Sequence, residues 1–126
     1  MKIVIDTHIL LWWVTDDKRL SHKARRLIES TQNKIIVSAA SFWEIAIKQT
    51  LGRIKIDVAE LEEAITIDDF EPLPIKLLHT VEVAGLPLHH NDPFDRMLIA
   101  QCLCETAHLL THDEALSSYG KVVMVV

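Results

Sequence analysis

Two short runs of this chain, Ile3-Val4-Ile5 and Ile35-Ile36-Val37, are apolar and β-branched with no polar residue alternating between them. A strand of that kind has no face left for water, so both of its faces must be covered. Covering both faces calls for helices on either side of a largely parallel sheet, because parallel strands need long crossover connections. The intervening segments supply those helices. The chain has 126 residues, of which 49% are apolar and 25% charged, enough for one domain with its own core and too few charges for a disordered chain.

The pattern predicts the following order. A strand over residues 2–6 leads into an apolar helix, His8 to Val14, and Asp16-Asp17-Lys18 makes a turn. Ser21 is placed to cap a helix over about 22–31, with Ala24, Leu27 and Ile28 on one face. After the second strand, Ser38 or Ser41 starts a helix that runs to about Leu51 and is closed by Gly52. Asp57-x-x-Glu60 has the form of a capping box for a helix over about 58–66. Glu71-Pro72-Leu73-Pro74 suits only an edge strand, since proline cannot donate to a central ladder. A helix from Lys76 to Val83, a loop from Gly85 to Asn91, and a helix from Asp92-Pro93 to about Glu105 come next. A strand over His108 to Thr111, a short helix capped by Asp113, and a final strand over Val122 to Val126 complete an α/β domain.

Four acids stand beside apolar segments: Asp6, Glu44, Asp95 and Asp113. A carboxylate there is costly unless something pairs with it. Each also has a structural reading. Asp6 can cap the helix near His8; Ser41-x-x-Glu44 matches a capping box; Asp95 can occupy the third helical position after Asp92 and Pro93; Asp113 can cap the helix that follows it. Asp92 reads chiefly as a cap. Glu44, flanked by Trp43 and Ile45 in a helix apolar nearly all round, fits capping poorly. Asp6 and Asp113 each follow a strand, which puts both at the carboxyl rim of the sheet, where ligands bind in such folds. Several carboxylates in one cleft repel unless a cation holds them, and hard oxygen donors favour Mg²⁺ or Mn²⁺. A metal so held activates water against a phosphodiester, and a free carboxylate takes the proton.

Other features carry less chemistry. His89-His90 with Asp92 lacks the further ligands a tetrahedral zinc site needs, and it reads as a loop bordering the cleft. Cys102 and Cys104 point to different helix faces and read as buried thiols. Trp12 and Trp13 read as core or subunit interface. A net charge of −5 excludes a protein that grips nucleic acid by overall charge, though local basic patches remain open. No apolar stretch approaches a membrane span, the start has no signal-peptide layout, and the expectation is a soluble intracellular protein.

Four motifs, in order and across almost the whole chain, resemble the PIN-domain ribonucleases, and among them the VapC-type toxins of toxin–antitoxin pairs. They are Ile5-Asp6-Thr7-His8; Ser38 to Lys48, reading SAASFWEIAIK; His90 to Gln101, reading HNDPFDRMLIAQ; and Leu110-Thr111-His112-Asp113. The resemblance implies one PIN domain over residues 1–126, with a mainly parallel sheet of about five strands in three α/β/α layers. It implies an acidic catalytic set of Asp6, Glu44, Asp95 and Asp113, with Asp6, Asp95 and Asp113 as ligands of Mg²⁺, Mn²⁺ being possible, and Glu44 completing the site or ordering the water. It selects Asp95 over Asp92, and gives Thr111 a supporting hydrogen bond. It further implies a cytoplasmic homodimer that cleaves RNA and is blocked by a small antitoxin protein. Lys48, Arg53, Lys55 and Arg96 are the candidates for holding RNA phosphates. The competing readings are a PIN nuclease of RNA processing or turnover, a non-catalytic interaction module, and an aspartyl phosphatase. The last commonly has a second acid two residues after the first, where this chain has His8.

Overall fold

A computed structural model describes residues 1–126. In chain order the elements are β1 (Lys2–Ile5), α1 (Thr7–Val14), α2 (His22–Glu29), β2 (Lys34–Ser38), α3 (Ala39–Thr50), α4 (Val58–Ile67), β3 (Glu71–Leu73), α5 (Leu77–Ala84), α6 (Pro93–Glu105), β4 (His108–Thr111), a 3₁₀ turn (Glu114–Tyr119) and β5 (Val123–Val125). The five strands form one sheet in the order β3-β2-β1-β4-β5, and every pairing is parallel.

The uniform apolarity of β1 has the predicted cause. Ile3 and Ile5 belong to one core with Ile9, Leu10, Ile28, Ile35, Val37, Leu61 and Ile65, under α1, α2 and α4. Val4 points the other way into a second core with Ile36, Leu98, Ile99, Leu109 and Leu116, under α6 and the 3₁₀ turn. Each fully buried Ile or Leu contributes about 1.5–3 kcal/mol, so a polar residue in β1 would be disfavoured on either face. Pro72 lies in β3 at the sheet edge, as its missing N–H requires.

Caps set most of the helix starts. Ser21 accepts from Ala24 N–H at 3.1 Å, and Asp57 accepts from Ala59 N–H at 3.0 Å. Ser38, not Ser41, starts α3, accepting from Ala40 N–H at 3.0 Å. The turn after α3 is closed at Gly52, whose φ of 69° suits glycine. The segment after Asp113 is 3₁₀ rather than α. Cys102 is buried and Cys104 half-buried, both free. Trp12 and Trp13 pack half-buried against the first core, and Trp13 Nε1–H donates to Asp68 at 2.9 Å. No helix is long and apolar enough to cross a membrane.

A buried polar chain ties the second layer together. His79 is 0% exposed. Its Nδ1 accepts from Lys76 N–H at 3.0 Å, which leaves the ring proton on Nε2 to donate to Glu105 at 3.0 Å. Gln101 donates to Pro74 O at 3.3 Å and accepts from the Ser38 hydroxyl at 2.5 Å. Ends of β2, β3, α5 and α6 are thereby held at one spacing. This matters for the site, because α3 and α6 each deliver one of its acids.

Candidate metal centre

The site lies where the strand order turns back on itself. β1 leads outward through β2 to β3, and the chain then returns to lay β4 on the other side of β1. The carboxyl ends of β1 and β4 are therefore neighbours with no helix crossing between them, which is the usual ligand crevice of an open α/β sheet. Asp6 N–H donates to Leu110 O at 3.1 Å across this seam.

Asp6 is both a cap and a member of the cluster. One carboxylate oxygen accepts from Ile9 N–H at 2.9 Å; the other accepts from the Thr111 hydroxyl at 2.5 Å. Thr111 in turn accepts from Asp113 N–H at 3.0 Å, so one hydroxyl orients acids from both strand ends. Asp6 is only 4% exposed. Burial pushes its carboxyl above the ordinary range, against the Thr111 and Ile9 hydrogen bonds, and the charge of Glu44 adds to the rise.

Glu44 is not a capping partner. Its Oε1 accepts from the Thr7 hydroxyl at 2.7 Å, and its Oε2 pairs with Lys48 one turn on at 3.1 Å. Nor is α3 apolar and buried all round, since Trp43 is 61% exposed. Glu44 is instead sheltered where α3 crosses α1 through Thr7. Trp43 stacks edge-on against Phe94 at 5.2 Å, which links α3 to the start of α6.

Asp92 caps α6 as read, accepting from Phe94 and Asp95 N–H at 2.8 and 3.1 Å. That frees Asp95 to face the crevice. Burial first, then the charges of Asp92 and Asp6, push its carboxyl up to about 6. His90 opposes the rise, with Nε2 at 3.0 Å from Asp95 Oδ2. Asp113 is exposed at the rim and caps the 3₁₀ turn through Ala115 N–H at 3.0 Å. Donor atoms of His90, Asp95 and Asp113 all lie within 4.8 Å of one another. An oxygen-rich cluster with two carboxyls raised by burial and by neighbouring acids fits a divalent cation, which would relieve both effects.

The structure thus brings together Asp6, Asp95 and Asp113, with Glu44 alongside through the charge it exerts on Asp6. It adds His90 and Thr7, which were not assigned to the acidic set. Thr7 carries no signal beyond its place next to Asp6. His90 had one: a capping Asp92-Pro93 turn folds the preceding loop back over the helix start, so residues five apart can meet.

The basic residues divide differently from the expectation. Arg96 is engaged by the loop before α6. Its guanidinium donates to the carbonyls of Pro87 at 2.9 Å and Val83 at 3.2 Å, and to the Tyr119 hydroxyl at 3.0 Å. Lys48 is paired to Glu44, while Arg53 and Lys55 stand exposed in the loop between α3 and α4.

Such a sheet, with acids at the β1 and β4 ends and a third at the start of α6, is the arrangement of a PIN domain. The PIN domain family model matches residues 3–122, and the chain belongs to that family. Ribonuclease VapC22 of Mycobacterium tuberculosis (strain ATCC 25618 / H37Rv) is 25% identical over 120 residues, which cover 93% of this chain and 91% of that protein. VapBC2 from Rickettsia felis, solved bound to a DNA fragment from its promoter, superimposes with a TM-score of 0.69 over 100% of this chain and 98% of the other, at 13% identity. A toxin–antitoxin complex from Klebsiella pneumoniae gives 0.66 at 16% identity, covering 98% and 96% of the two chains. VapBC-1 from nontypeable Haemophilus influenzae gives 0.65 at 16% identity, over 99% and 98%. At those identities the solved structures establish the shared fold.

Proposed function

We propose that this chain, residues 1–126, is a single PIN domain acting as a divalent-metal-dependent endoribonuclease, the toxin of a toxin–antitoxin pair. The observation that carries the reading is the crevice between β1 and β4, where buried Asp6 and half-buried Asp95 hold carboxyls raised above their ordinary range. A protein keeps such raised acids together at a cost, and a bound cation recovers it.

In this reading Asp6, Asp95 and Asp113 hold Mg²⁺, or Mn²⁺ in its place. The ion supplies Lewis-acid activation of water and neutralises charge on the phosphoryl oxygens. Thr111 keeps the Asp6 carboxylate turned toward the crevice, and Thr7 and Lys48 fix Glu44. Glu44 accepts a proton from the attacking water or orders it. The helix starts of α1 and α6 add positive dipole ends beside the scissile phosphate. Arg53 and Lys55 hold flanking phosphates, which lets RNA approach a chain of net charge −5.

The toxin role rests on likeness to proteins named as VapC or crystallised as VapBC and toxin–antitoxin complexes. It implies a small antitoxin partner, a homodimer and a cytoplasmic location. Cleavage of an RNA panel by the purified protein, with Mg²⁺, with EDTA and as Asp95→Asn from a matched preparation, tests the chemistry. Both EDTA and the substitution should abolish cleavage, and activity surviving both would sink the mechanism. Growth arrest on induction, relieved by the product of a neighbouring short reading frame, tests the toxin role. Cleavage without arrest would favour an RNA-processing enzyme.

A further inference from the structure

The loop before α6 is unusually well held for a loop. Arg96 ties the carbonyls of Val83, Leu86 and Pro87 to the first turn of the helix. The Tyr119 hydroxyl donates to Pro87 O at 3.0 Å, and the Tyr119 ring meets His89 edge-on at 5.1 Å. Leu86 packs against the second core. Asp92 then locks the chain into the helix start. These contacts close around His90 and leave its ring 23% exposed, aimed into the crevice at Asp95.

The separation of the two side chains is informative. Two ligands about 2.1 Å from one ion, on adjacent corners of an octahedron, stand about 3.0 Å apart. His90 Nε2 and Asp95 Oδ2 are 3.0 Å apart, and the nearest Asp113 oxygen lies within 4.8 Å of both. A hydrogen bond spans that edge. Moving the ring proton to Nδ1 frees the Nε2 lone pair in place, without a change of rotamer.

We propose that His90 is a direct nitrogen ligand of the divalent ion, alongside Asp95 and Asp113, and that it biases the site toward Mn²⁺ over Mg²⁺. Imidazole suits first-row transition ions, whereas Mg²⁺ prefers oxygen donors and holds its waters. The inference rests on the metal-dependent reading of the site but concerns which ion and which atom. His8, whose charge acts on Asp6, is exposed on α1 and serves as a control.

The test uses the full chain loaded with Mn²⁺ and needs no RNA. Pulsed electron paramagnetic resonance on the wild type should show nitrogen coupling to the Mn²⁺ spin. The coupling should vanish in His90→Ala and persist in His8→Ala. By calorimetry the Mn²⁺ Kd of His90→Ala should rise about 10-fold or more, while that for Mg²⁺ changes less than about 3-fold. Mn²⁺ bound with no nitrogen coupling, or equal weakening for both ions, overturns the ligand assignment and leaves the nuclease reading standing. A wild type that binds neither ion overturns both.

Discussion

Replacing Asp95 by Asn should make the metal-free protein more stable while removing its activity. The Asp95 carboxyl is displaced from 3.8 to about 6, chiefly by burial and then by Asp92 and Asp6. At about 1.4 kcal/mol per pH unit, the ionised side chain costs the native state about 3 kcal/mol at neutral pH. The side chain is 23% exposed, and Asn gives His90 a weaker acceptor, so screening and that loss reduce the gain to about 1–2 kcal/mol. For a chain of this size that corresponds to about 4–8 °C in Tm. The raised acid holds its proton in the native state at pH values where the unfolded chain has lost it. Wild-type stability therefore falls as pH rises from about 4 to 6, and the variant lacks that fall. Urea unfolding in EDTA at pH 4, 5, 6 and 7.5 measures it. The advantage of Asp95→Asn should be largest at pH 7.5, shrink by pH 5 and mostly disappear at pH 4. Adding Mg²⁺ should narrow it, since the ion stabilises only a native state that binds it. Equal stability at pH 7.5, or a gap that does not change with pH, would refute the claim that Asp95 is held in an unfavourable ionised state.

Three further outcomes follow from the same geometry. Thr111→Val removes the donor to Asp6 and the acceptor of Asp113 N–H, and should weaken Mn²⁺ binding about 10-fold by calorimetry with the fold intact by circular dichroism. Gln101→Leu strips the buried Ser38 hydroxyl of its acceptor and should cost about 2–3 kcal/mol in urea unfolding, whatever the metal content. Arg96→Ala should raise hydrogen exchange across residues 83–91 without altering the salt dependence of RNA binding, whereas Arg53→Glu with Lys55→Glu should lower the slope of log K against log salt by about 2.

Much of the fold is written locally. β1 and β2 have no polar face, so they had to be covered twice, and the caps at Ser21, Ser38, Asp57 and Asp92 mark where helices begin. The edge position of β3 follows from Pro72 alone. Glu44 was rightly set apart from the Ser41-x-x-Glu44 capping box, but for a reason the structure replaces: α3 is not buried all round, and the partner of Glu44 is Thr7, 37 residues away. Capping depends on one helical turn, and that contact depends on how α3 crosses α1. The hold on Arg96 is equally non-local. Its sequence neighbours cannot reveal that the carbonyls of Val83, Leu86 and Pro87 converge on its guanidinium.

The sequence by itself determined the parallel α/β layout and the cap at Asp92, and it singled out the four acids as candidates, because each rests on a period, a cap or a motif within a few residues. Only the tertiary structure decided that Asp6 and Asp113 share one hydroxyl through Thr111, that Asp6 and Asp95 sit close and dry enough to be pushed up, and that His90 closes on Asp95. Those properties depend on distance and water exclusion at the seam between β1 and β4. Strands 103 residues apart or more along the chain meet there, and no local pattern carries a charge's distance from another that remote.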